Sequence, residues 1–335
     1  MDKTEELKLF LKENGVKIHE VDSNINYWFV RTDGGNYFDA YVSGNYIGLG
    51  WNTIPFTKPD EKGCYPEDLI KDLESKGHKQ PTRVLNQIKR FYKEMKKGDV
   101  VVIPSTSSLN LAFGYISDDE VYIEENITDD DIENGACPYT RRRHVNWIVN
   151  IDKARIDPHL YALFRNHQVI SDGKSYASYI DRALHTLYIK DGIAHLTFTV
   201  ESKTNPKALS IPTFMLGLIE RTEAFIKEYE IIDDCKNLEN EIDSKINVQS
   251  PGVIEFLGSA TNILAIAVMS IGLFGGKAKF EHTKEKTSGE VSTGGLAGAI
   301  VKILNAYNNG KSIDNAKMQS CKKQLQIKNI NDDEA

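Results

Sequence analysis

A basic amphipathic helix that leads directly into a buried strand is the feature of this sequence that most restricts its fold. The apolar residues that mark the helix are spaced four, three and four apart, as one face of an α-helix requires: Val84, Ile88, Phe91 and Met95. Gly98 is predicted to end the helix. The unbroken apolar run 100–103 then predicts a strand buried on both faces, which Pro104 ends. The helix and the strand together predict a helix packed on a sheet.

The opposite face of the same helix is basic, and a loop rich in hydroxyl groups follows the strand. Against one acid, Glu94, the helix face carries six cations: Arg83, Lys89, Arg90, Lys93, Lys96 and Lys97. Ser105 and Ser107 lie in the loop beyond the strand. This arrangement suits a polar ligand at a sheet edge, although a basic helix face can equally be a solvated surface.

The charge balance and the chemistry-bearing residues narrow the functional class. The formal net charge is −7, so nucleic acid could be attracted only by a local basic patch. The four cysteines are far apart, which argues against a zinc site or a disulfide framework and fits a reducing cytoplasm. The eight histidines lack metal-ligand spacing, and no serine lies in a G-x-S-x-G elbow. We therefore expect a cytoplasmic binding protein that is not an enzyme and has no metal or cofactor.

The 335 residues are enough for two domains with appendages, and the pattern predicts four regions. Residues 1–155 alternate short strands with a few helices, which predicts an α+β, barrel-like domain. Residues 156–250 are predicted to be a mixed α/β adaptor, with a hairpin at Asp191-Gly192 and a long amphipathic helix. Residues 251–308 carry a hydrophobic helix, a polar hairpin and a short helix, so the C-terminal half is expected to be mainly helical. The polar tail 309–335 is predicted to be disordered.

Several motifs of the first region together resemble a known family. They are YWFVR at 27–31, IGLGW at 47–51, MKKGDVVVIPS at 95–105, AFG at 112–114 and RRRHVNW at 141–147. In this order they resemble the EVE/PUA-like domains, small barrels that read nucleic acids carrying modified bases, in particular the N-terminal readers of modification-dependent restriction and antiphage proteins. The resemblance covers about residues 26–151 and implies a PUA/EVE-like β-barrel with helices. No restriction-type nuclease core and no nucleotide-binding loop is found in the rest of the sequence.

The resemblance also implies where a ligand would bind. Such readers flip a base into a pocket and stack it on aromatic side chains. Trp51 is the candidate stacking residue, with Trp28 and Trp147 behind it. The candidate contacts to a base edge or to phosphates are Ser105, Ser107, Arg141, Arg143, Lys89, Lys93 and Lys96. The plain alternatives are that the tryptophans belong to the core and that the serines cap a turn.

Two features complicate this hypothesis. Nine acids and no cation lie between residues 118 and 133, and such a run repels phosphate unless it points away from the ligand. The segment 256–276 has 21 residues without a charge, about the length that crosses a bilayer. Lysines follow the segment directly, and cationic residues beside a membrane span usually lie in the cytoplasm. A simple span would therefore place the reader outside the cell. The segment could instead be buried in an oligomer core, or insert into a membrane on activation.

The sequence therefore favours a nucleic-acid-binding sensor of antiphage defence. Its ligand would be DNA, RNA or a free nucleotide, with a modified base as one form. A C-terminal region that forms homo-oligomers, or contacts membrane through residues 256–276, would be coupled to the reader. The alternative is an interaction or scaffold protein whose barrel binds a small ligand or a protein. Charge reversal of Lys89, Lys93 and Lys96 discriminates between the two, because only the first loses nucleic-acid binding.

Overall fold

The chain folds as two compact units. The computed structural model describes residues 2–202, 204–231, 238–247, 252–275, 295–308 and 313–331. The central unit is Asn24–Leu184, and the outer unit combines Met1–Ser23 with His185–Ala335. These limits differ from the predicted domains 1–155 and 156–250, because the N-terminal segment joins the later half of the chain and the central unit continues beyond residue 155.

Twelve strands and ten α-helices are present in the described residues. The strands are β1 (His19–Glu20), β2 (Tyr27–Val30), β3 (Tyr46–Leu49), β4 (Val100–Pro104), β5 (Asn110–Ile116), β6 (Tyr122–Ile123), β7 (Arg141–Asp152), β8 (Ile170–Asp172), β9 (Leu187–Lys190), β10 (Ile193–Val200), β11 (Asp243–Asn247) and β12 (Gly252–Ser259). The helices are α1 (Lys3–Glu13), α2 (Phe38–Ser43), α3 (Glu67–Ser75), α4 (Pro81–Lys89), α5 (Asp129–Glu133), α6 (Ala177–Leu184), α7 (Ser210–Glu228), α8 (Ala260–Phe274), α9 (Gly295–Ala306) and α10 (Asn315–Leu325).

The central unit is built on a curled half-barrel sheet with the strand order β3-β7-β5-β4-β2-β8, and β6 pairs with β7. The strands β2 and β4 run parallel, whereas the other neighbours are antiparallel. The long strand β7 pairs first with β3 and then with β5, and a register shift between Phe113 and Gly114 bends the sheet. Because β8 pairs with β2, the segment after residue 155 completes this sheet. The predicted α+β class is confirmed at this level.

The helix and strand that most restricted the fold are confirmed. All residues of β4 are buried, and they belong alternately to two core clusters, so the strand is covered on both faces. The helix runs as α4 and continues as a π-helical turn, Arg90–Glu94. The helical turns end at Glu94 and Met95 is extended, so the prediction that Gly98 ends the helix was wrong; Gly98 lies three residues further on, with φ of 86°. The π-helical turn was not foreseen, and such turns occur often at functional positions.

The outer unit is also organised by a sheet, which corrects the expectation of a mainly helical C-terminal half. Its described residues form five strands in the order β1-β9-β10-β12-β11. The predicted hairpin is confirmed, since β9 and β10 join through Asp191 and Gly192, both at positive φ. Buried Leu196, Phe198 and Phe256 contribute to the core of this unit, together with residues of α1, α7, α8, α9 and α10. The prediction failed partly because the last four residues of β12 belong to the apolar segment that was predicted to be a helix.

The apolar segment 256–276 is divided between a strand and a helix. Its first four residues finish β12, and Ser259 caps α8 by accepting a hydrogen bond from the Asn262 amide. The helix has 15 residues and is buried almost all round within the outer unit, which explains its apolar composition. Its close approach to α9 depends on Gly272, where an added Cβ would lie 2.6 Å from Ile300 Cγ2. Gly276 and the predicted polar hairpin lie outside the described residues.

No helix in the described parts of the chain is long and apolar enough to cross a membrane. In this structure the side chains of α8 are covered by the chain itself. Membrane contact through this segment would require the outer unit to open, and it stays a prediction.

The predicted disordered tail contains a folded helix. Residues 313–331 are described and include α10, whose buried side chains are Met318, Cys321 and Leu325. Beyond it, Ile327 forms an antiparallel bridge to Val200 at the end of β10. The prediction of disorder was wrong for these residues because three buried side chains anchor a helix that is otherwise polar.

Candidate nucleic-acid interface

Trp51 occupies a strained position at the exit of β3. Its φ is 58°, in the left-handed region that a bulky side chain rarely adopts. Such a backbone costs about 1–3 kcal/mol and persists where the surroundings enforce it, often at functional sites. The carbonyl of Trp51 accepts a 2.9 Å hydrogen bond from the Ile54 amide, which closes a turn. The indole is partly exposed and packs on the core cluster beneath it.

Arg141 lies beside this turn with part of its hydrogen-bonding capacity unused. It pairs with Leu49 in the sheet and is only 5% exposed. Its Nη2 donates to the carbonyls of Asn52, at 3.3 Å, and of Ile54. Its Nη1 is buried and has no hydrogen-bond partner among the described residues. A buried donor without a partner is costly, and Nη1 is a polar group that the described residues leave unsatisfied.

Tyr139 packs against Gly48 of β3 and against Gly50, just beyond that strand. An added Cβ at Gly50 would lie 3.1 Å from the Tyr139 ring, and one at Gly48 would lie 3.2 Å from Tyr139 Cβ. The ring of Tyr37 meets that of Tyr139 edge to face, with centroids 5.1 Å apart. Both glycines are therefore positions where another side chain packs closely against the backbone.

The tyrosine hydroxyls lie near a carboxylate. Burial, followed by the charge of Asp33, raises the pKa of Tyr139 to about 12. The same two causes, in the same order, raise the pKa of Tyr37. Both hydroxyls therefore stay protonated at neutral pH and can donate hydrogen bonds. Asp33, Tyr37 and Tyr139 form a polar and aromatic cradle that the sequence analysis missed; the two glycines of IGLGW were the signal that could have led to it.

The turn that carries Asp33 also contacts the loop that contains Ser105 and Ser107. The Thr32 hydroxyl donates to the Pro104 carbonyl at 2.6 Å, and an added Cβ at Gly35 would overlap the backbone of Thr106. This contact arises because β2 and β4 are parallel, so the segments that leave them share an edge. The loop has its own strain, since Ser107 and the residue after it have positive φ.

The two candidate serines have different surroundings. Ser105 Oγ accepts a 2.8 Å hydrogen bond from the Asn110 amide, so it closes its own loop. The Ser107 side chain is exposed and has no hydrogen-bond partner among the described residues. Of the two, Ser107 is the one free to meet a ligand.

A basic and aromatic patch continues from the other side of Arg141. The rings of Phe56 and Tyr92 stack with centroids 5.1 Å apart, and Lys93 Nζ lies 5.5 Å from the Phe56 centroid. The Arg141 guanidinium lies 5.8 Å from the Tyr92 centroid, which connects the patch to the Trp51 turn. A cation above stacked aromatic rings suits a nucleic-acid strand.

The other two candidate lysines are less committed to this patch. Lys89 forms an ion pair of 3.1 Å with Glu94, so part of its charge is balanced within the protein. The Lys96 side chain is exposed, while its amide donates to Asp99. Of the three candidate lysines, Lys93 is therefore the one that lies over an aromatic ring.

Three of the predicted contacts have structural partners. Trp28 is 6% exposed and donates its indole N–H to Asp99 at 2.8 Å. Trp147 is partly buried and donates to the Tyr41 carbonyl at 2.9 Å. Arg143 is fully buried, and its guanidinium donates to three backbone carbonyls, two of them within the π-helical turn. Burial lowers the pKa of Arg143. These residues hold the fold together, and each guanidinium nitrogen of Arg143 has a partner, whereas Nη1 of Arg141 has none among the described residues.

The acidic run between residues 118 and 133 is tied to neighbouring elements at several points. The Asp119 carboxylate accepts the Lys97 amide at 2.8 Å, and Glu124 lies 3.6 Å from Arg142. Thr128 and Asp131 form a capping box at the start of α5. The acids thus serve local structure.

Comparisons with known proteins identify the segment but not its role. Residues 28–165 match the model of a domain of unknown function (DUF8426), and this match lies within the central unit. No curated protein and no solved structure matches the chain.

Proposed function

We propose that the central unit binds nucleic acid and accepts an extruded base beside Trp51, with a modified base as one form of the ligand. The observation that carries this proposal is the pairing of the strained, partly exposed Trp51 with the unpartnered Nη1 of Arg141. The resemblance of residues 26–151 to EVE/PUA-like readers supports it, as does the curled half-barrel sheet, which is consistent with a PUA/EVE-like barrel.

The chemistry of the site suits an extruded base. Extrusion costs a few kcal/mol, and stacking on an aromatic side chain returns about 1–3 kcal/mol per base. The indole of Trp51 supplies such a surface. The guanidinium of Arg141 can donate to the acceptor edge of a base or to a phosphate, and the Tyr37 and Tyr139 hydroxyls add donors. The Asp33 carboxylate can accept from an exocyclic amino group.

The patch of Phe56, Tyr92 and Lys93 supports a path for the rest of the strand. Stacked rings accept bases of any sequence, whereas the lysine contributes a salt-dependent contact to phosphate. Exposed Lys96 and Ser107 would add contacts at the margins. The net charge of −7 makes such a local patch necessary.

In this proposal the chain is a cytoplasmic sensor of antiphage type, and the outer unit supplies self-association. The assignment to defence depends on the resemblance alone. Self-association can be measured by light scattering of the full-length protein with and without oligonucleotide.

A binding assay with the full-length protein tests the proposal. Labelled single- and double-stranded oligonucleotides, with and without modified bases, are titrated at about 50 and about 200 mM salt. Lys93→Glu is expected to weaken binding about tenfold and to reduce the salt slope by at least about 1. Lys71→Glu is the matched control, because Lys71 is an exposed lysine of α3 with only a 3.7 Å contact to Glu67.

Two results would overturn the proposal. One is the absence of binding to every oligonucleotide by the parent protein. The other is equal weakening by the substitutions at Lys93 and Lys71. Either result would favour the alternative, in which the barrel binds a small ligand or a protein.

A further inference from the structure

A polar groove opens beside the first turn of α4. Its volume is about 390 Å³, which falls in the range of small-ligand sites. Four amides, two guanidinium groups and one hydroxyl form its polar lining: Gln80, Asn86, Gln87, Gln168, Arg83, Arg90 and Thr82. No acidic residue lines it, and each of the lining residues is described. One carboxylate outside the lining, that of Glu94, forms an ion pair with Arg90, with 3.6 Å between Oε2 and Nε.

The inner wall of the groove has no free amide oxygen. Gln87 Oε1 accepts a 2.6 Å hydrogen bond from the Ile170 amide. Gln168 Oε1 accepts a 2.7 Å hydrogen bond from Arg90 Nη1. A backbone N–H and a guanidinium can only donate, so the identity of both acceptor oxygens is fixed. The amino group of Gln168 is consequently left to face a ligand.

The outer wall follows the same pattern. Gln80 Oε1 accepts from Arg83 Nη1 at 3.1 Å, and Asn86 Oδ1 accepts from the Tyr65 hydroxyl at 3.0 Å. All four amide oxygens are thus engaged by donors of the protein. Arg90 Nη1 also donates to the Ile170 carbonyl, and the Gln87 amino group donates to Gln168 Oε1 at 3.5 Å. The groove therefore still offers the amino groups of Gln80, Asn86 and Gln168, the remaining guanidinium N–H groups and the Thr82 hydroxyl. A ligand that fits must be rich in acceptors and negatively charged.

We infer that this groove is a phosphate-binding site. Phosphate presents only acceptor oxygens and a negative charge, which match a lining of donors and guanidinium groups. The start of α4 adds to the match, because no side chain caps the helix; Pro81 has no N–H, so the amides that remain are those of Thr82 and Arg83. No lining residue belongs to the Trp51 site, so the groove is a second site. The phosphate would come from a nucleic-acid strand or from a free nucleotide.

Two substitutions reverse the hydrogen-bonding character of the groove without removing its internal bonds. Asn86→Asp keeps the acceptor for Tyr65, and Gln168→Glu keeps the acceptor for Arg90, while each replaces an NH₂ donor with an oxyanion. Calorimetric titration of the full-length protein with sodium pyrophosphate should show binding that the double variant weakens at least about tenfold, or about 1.4 kcal/mol. Asn150→Asp is the matched control for a single charge change, because it adds one negative charge at an exposed position of β7.

A second variant guards against a folding defect. Arg83→Gln removes an exposed cation whose hydrogen bond in the structure goes to Gln80, and it should also weaken pyrophosphate binding. Arg165→Gln, an exposed arginine outside the groove, should not. The inference is overturned if the parent protein does not bind pyrophosphate, or if both groove variants bind it as well as the parent.

A labelled oligonucleotide distinguishes the two sources of phosphate. If the double variant also weakens oligonucleotide binding, the groove holds a phosphate of the strand. If oligonucleotide binding is unchanged while pyrophosphate binding is lost, the groove serves a free nucleotide. Pyrophosphate binding by a protein that binds no oligonucleotide would uphold the groove and refute the nucleic-acid reader, so the two proposals fail separately.

Discussion

The indole of Trp28 donates a 2.8 Å hydrogen bond to the carboxylate of Asp99, and this bond joins β2 to the turn before β4. The same carboxylate accepts the amides of Asn26 and Lys96, both at 2.9 Å. Asp99 is 3% exposed, so water cannot replace these bonds. One buried carboxylate therefore fixes the end of the basic helix against the sheet.

Removal of that carboxylate should destabilise the protein strongly. Asp99→Ala leaves several buried donors without a partner, and we expect a loss of about 2–4 kcal/mol in the free energy of unfolding. Trp28→Phe removes one donor and keeps most of the apolar surface, so about 1 kcal/mol is expected. Urea denaturation measures both. An Asp99→Ala variant that unfolds at the urea midpoint of the parent would show that the carboxylate is not the joint described.

Adjacent glycines in the Asp33 turn provide a matched pair. Gly34 has φ of 70° and no atom within 4 Å of an added Cβ, so Gly34→Ala costs only the backbone strain of about 1–2 kcal/mol. Gly35 has φ of 103°, and an added Cβ would overlap the Thr106 backbone. Gly35→Ala should therefore lower the melting temperature clearly more than Gly34→Ala does. Equal effects in thermal unfolding would mean that the two loops are not in close contact.

The parts of the fold that the sequence predicted are those set by local pattern. The helix at α4, the buried strand β4 and the hairpin at Asp191-Gly192 each follow from the spacing of apolar residues or from turn chemistry. The apolar helix α8 was placed in the correct region, but its role was ambiguous. A helix that is apolar all round is buried either in lipid or in protein, and composition alone does not distinguish them. Only the elements packed around α8 in the structure show that protein covers it.

The candidate site was harder to predict because it depends on contacts between distant segments. Arg141 and Arg143 are two residues apart on β7, yet their partners come from residues 52–54 and 91–118. Those backbone carbonyls give every guanidinium nitrogen of Arg143 a partner, whereas Nη1 of Arg141 has none among the described residues. The Tyr37 and Tyr139 pair likewise joins segments about a hundred residues apart, and no local pattern announces it.

His185 should make the stability of the protein dependent on pH. Burial, followed by the charge of His19, lowers the pKa of His185 from 6.5 to about 3. Below pH 6.5 this imidazole binds a proton in the unfolded chain but not in the folded chain, so the free energy of unfolding has its full value only above that pH. It should fall toward pH 3 by up to about 1.4 kcal/mol per unit. His185→Gln should flatten this acid slope in urea titrations, whereas exposed His167→Gln should not. Equal slopes in parent and His185→Gln would contradict the prediction.

Trp51→Gly separates the two roles that a strained tryptophan can have. Glycine accepts a φ of 58° without strain, so the substitution recovers about 1–2 kcal/mol of backbone energy against the loss of a partly buried indole. If the indole serves a ligand, the free energy of unfolding should change by less than about 2 kcal/mol while oligonucleotide binding falls at least tenfold. If the indole serves only the core, stability should fall by about 3–5 kcal/mol, as for other large deletions, and the binding of the folded fraction should be unchanged. Urea denaturation and fluorescence anisotropy on the same preparation therefore distinguish the roles, and Trp147→Phe, which removes the donor to Tyr41, is the control for a tryptophan with a structural partner.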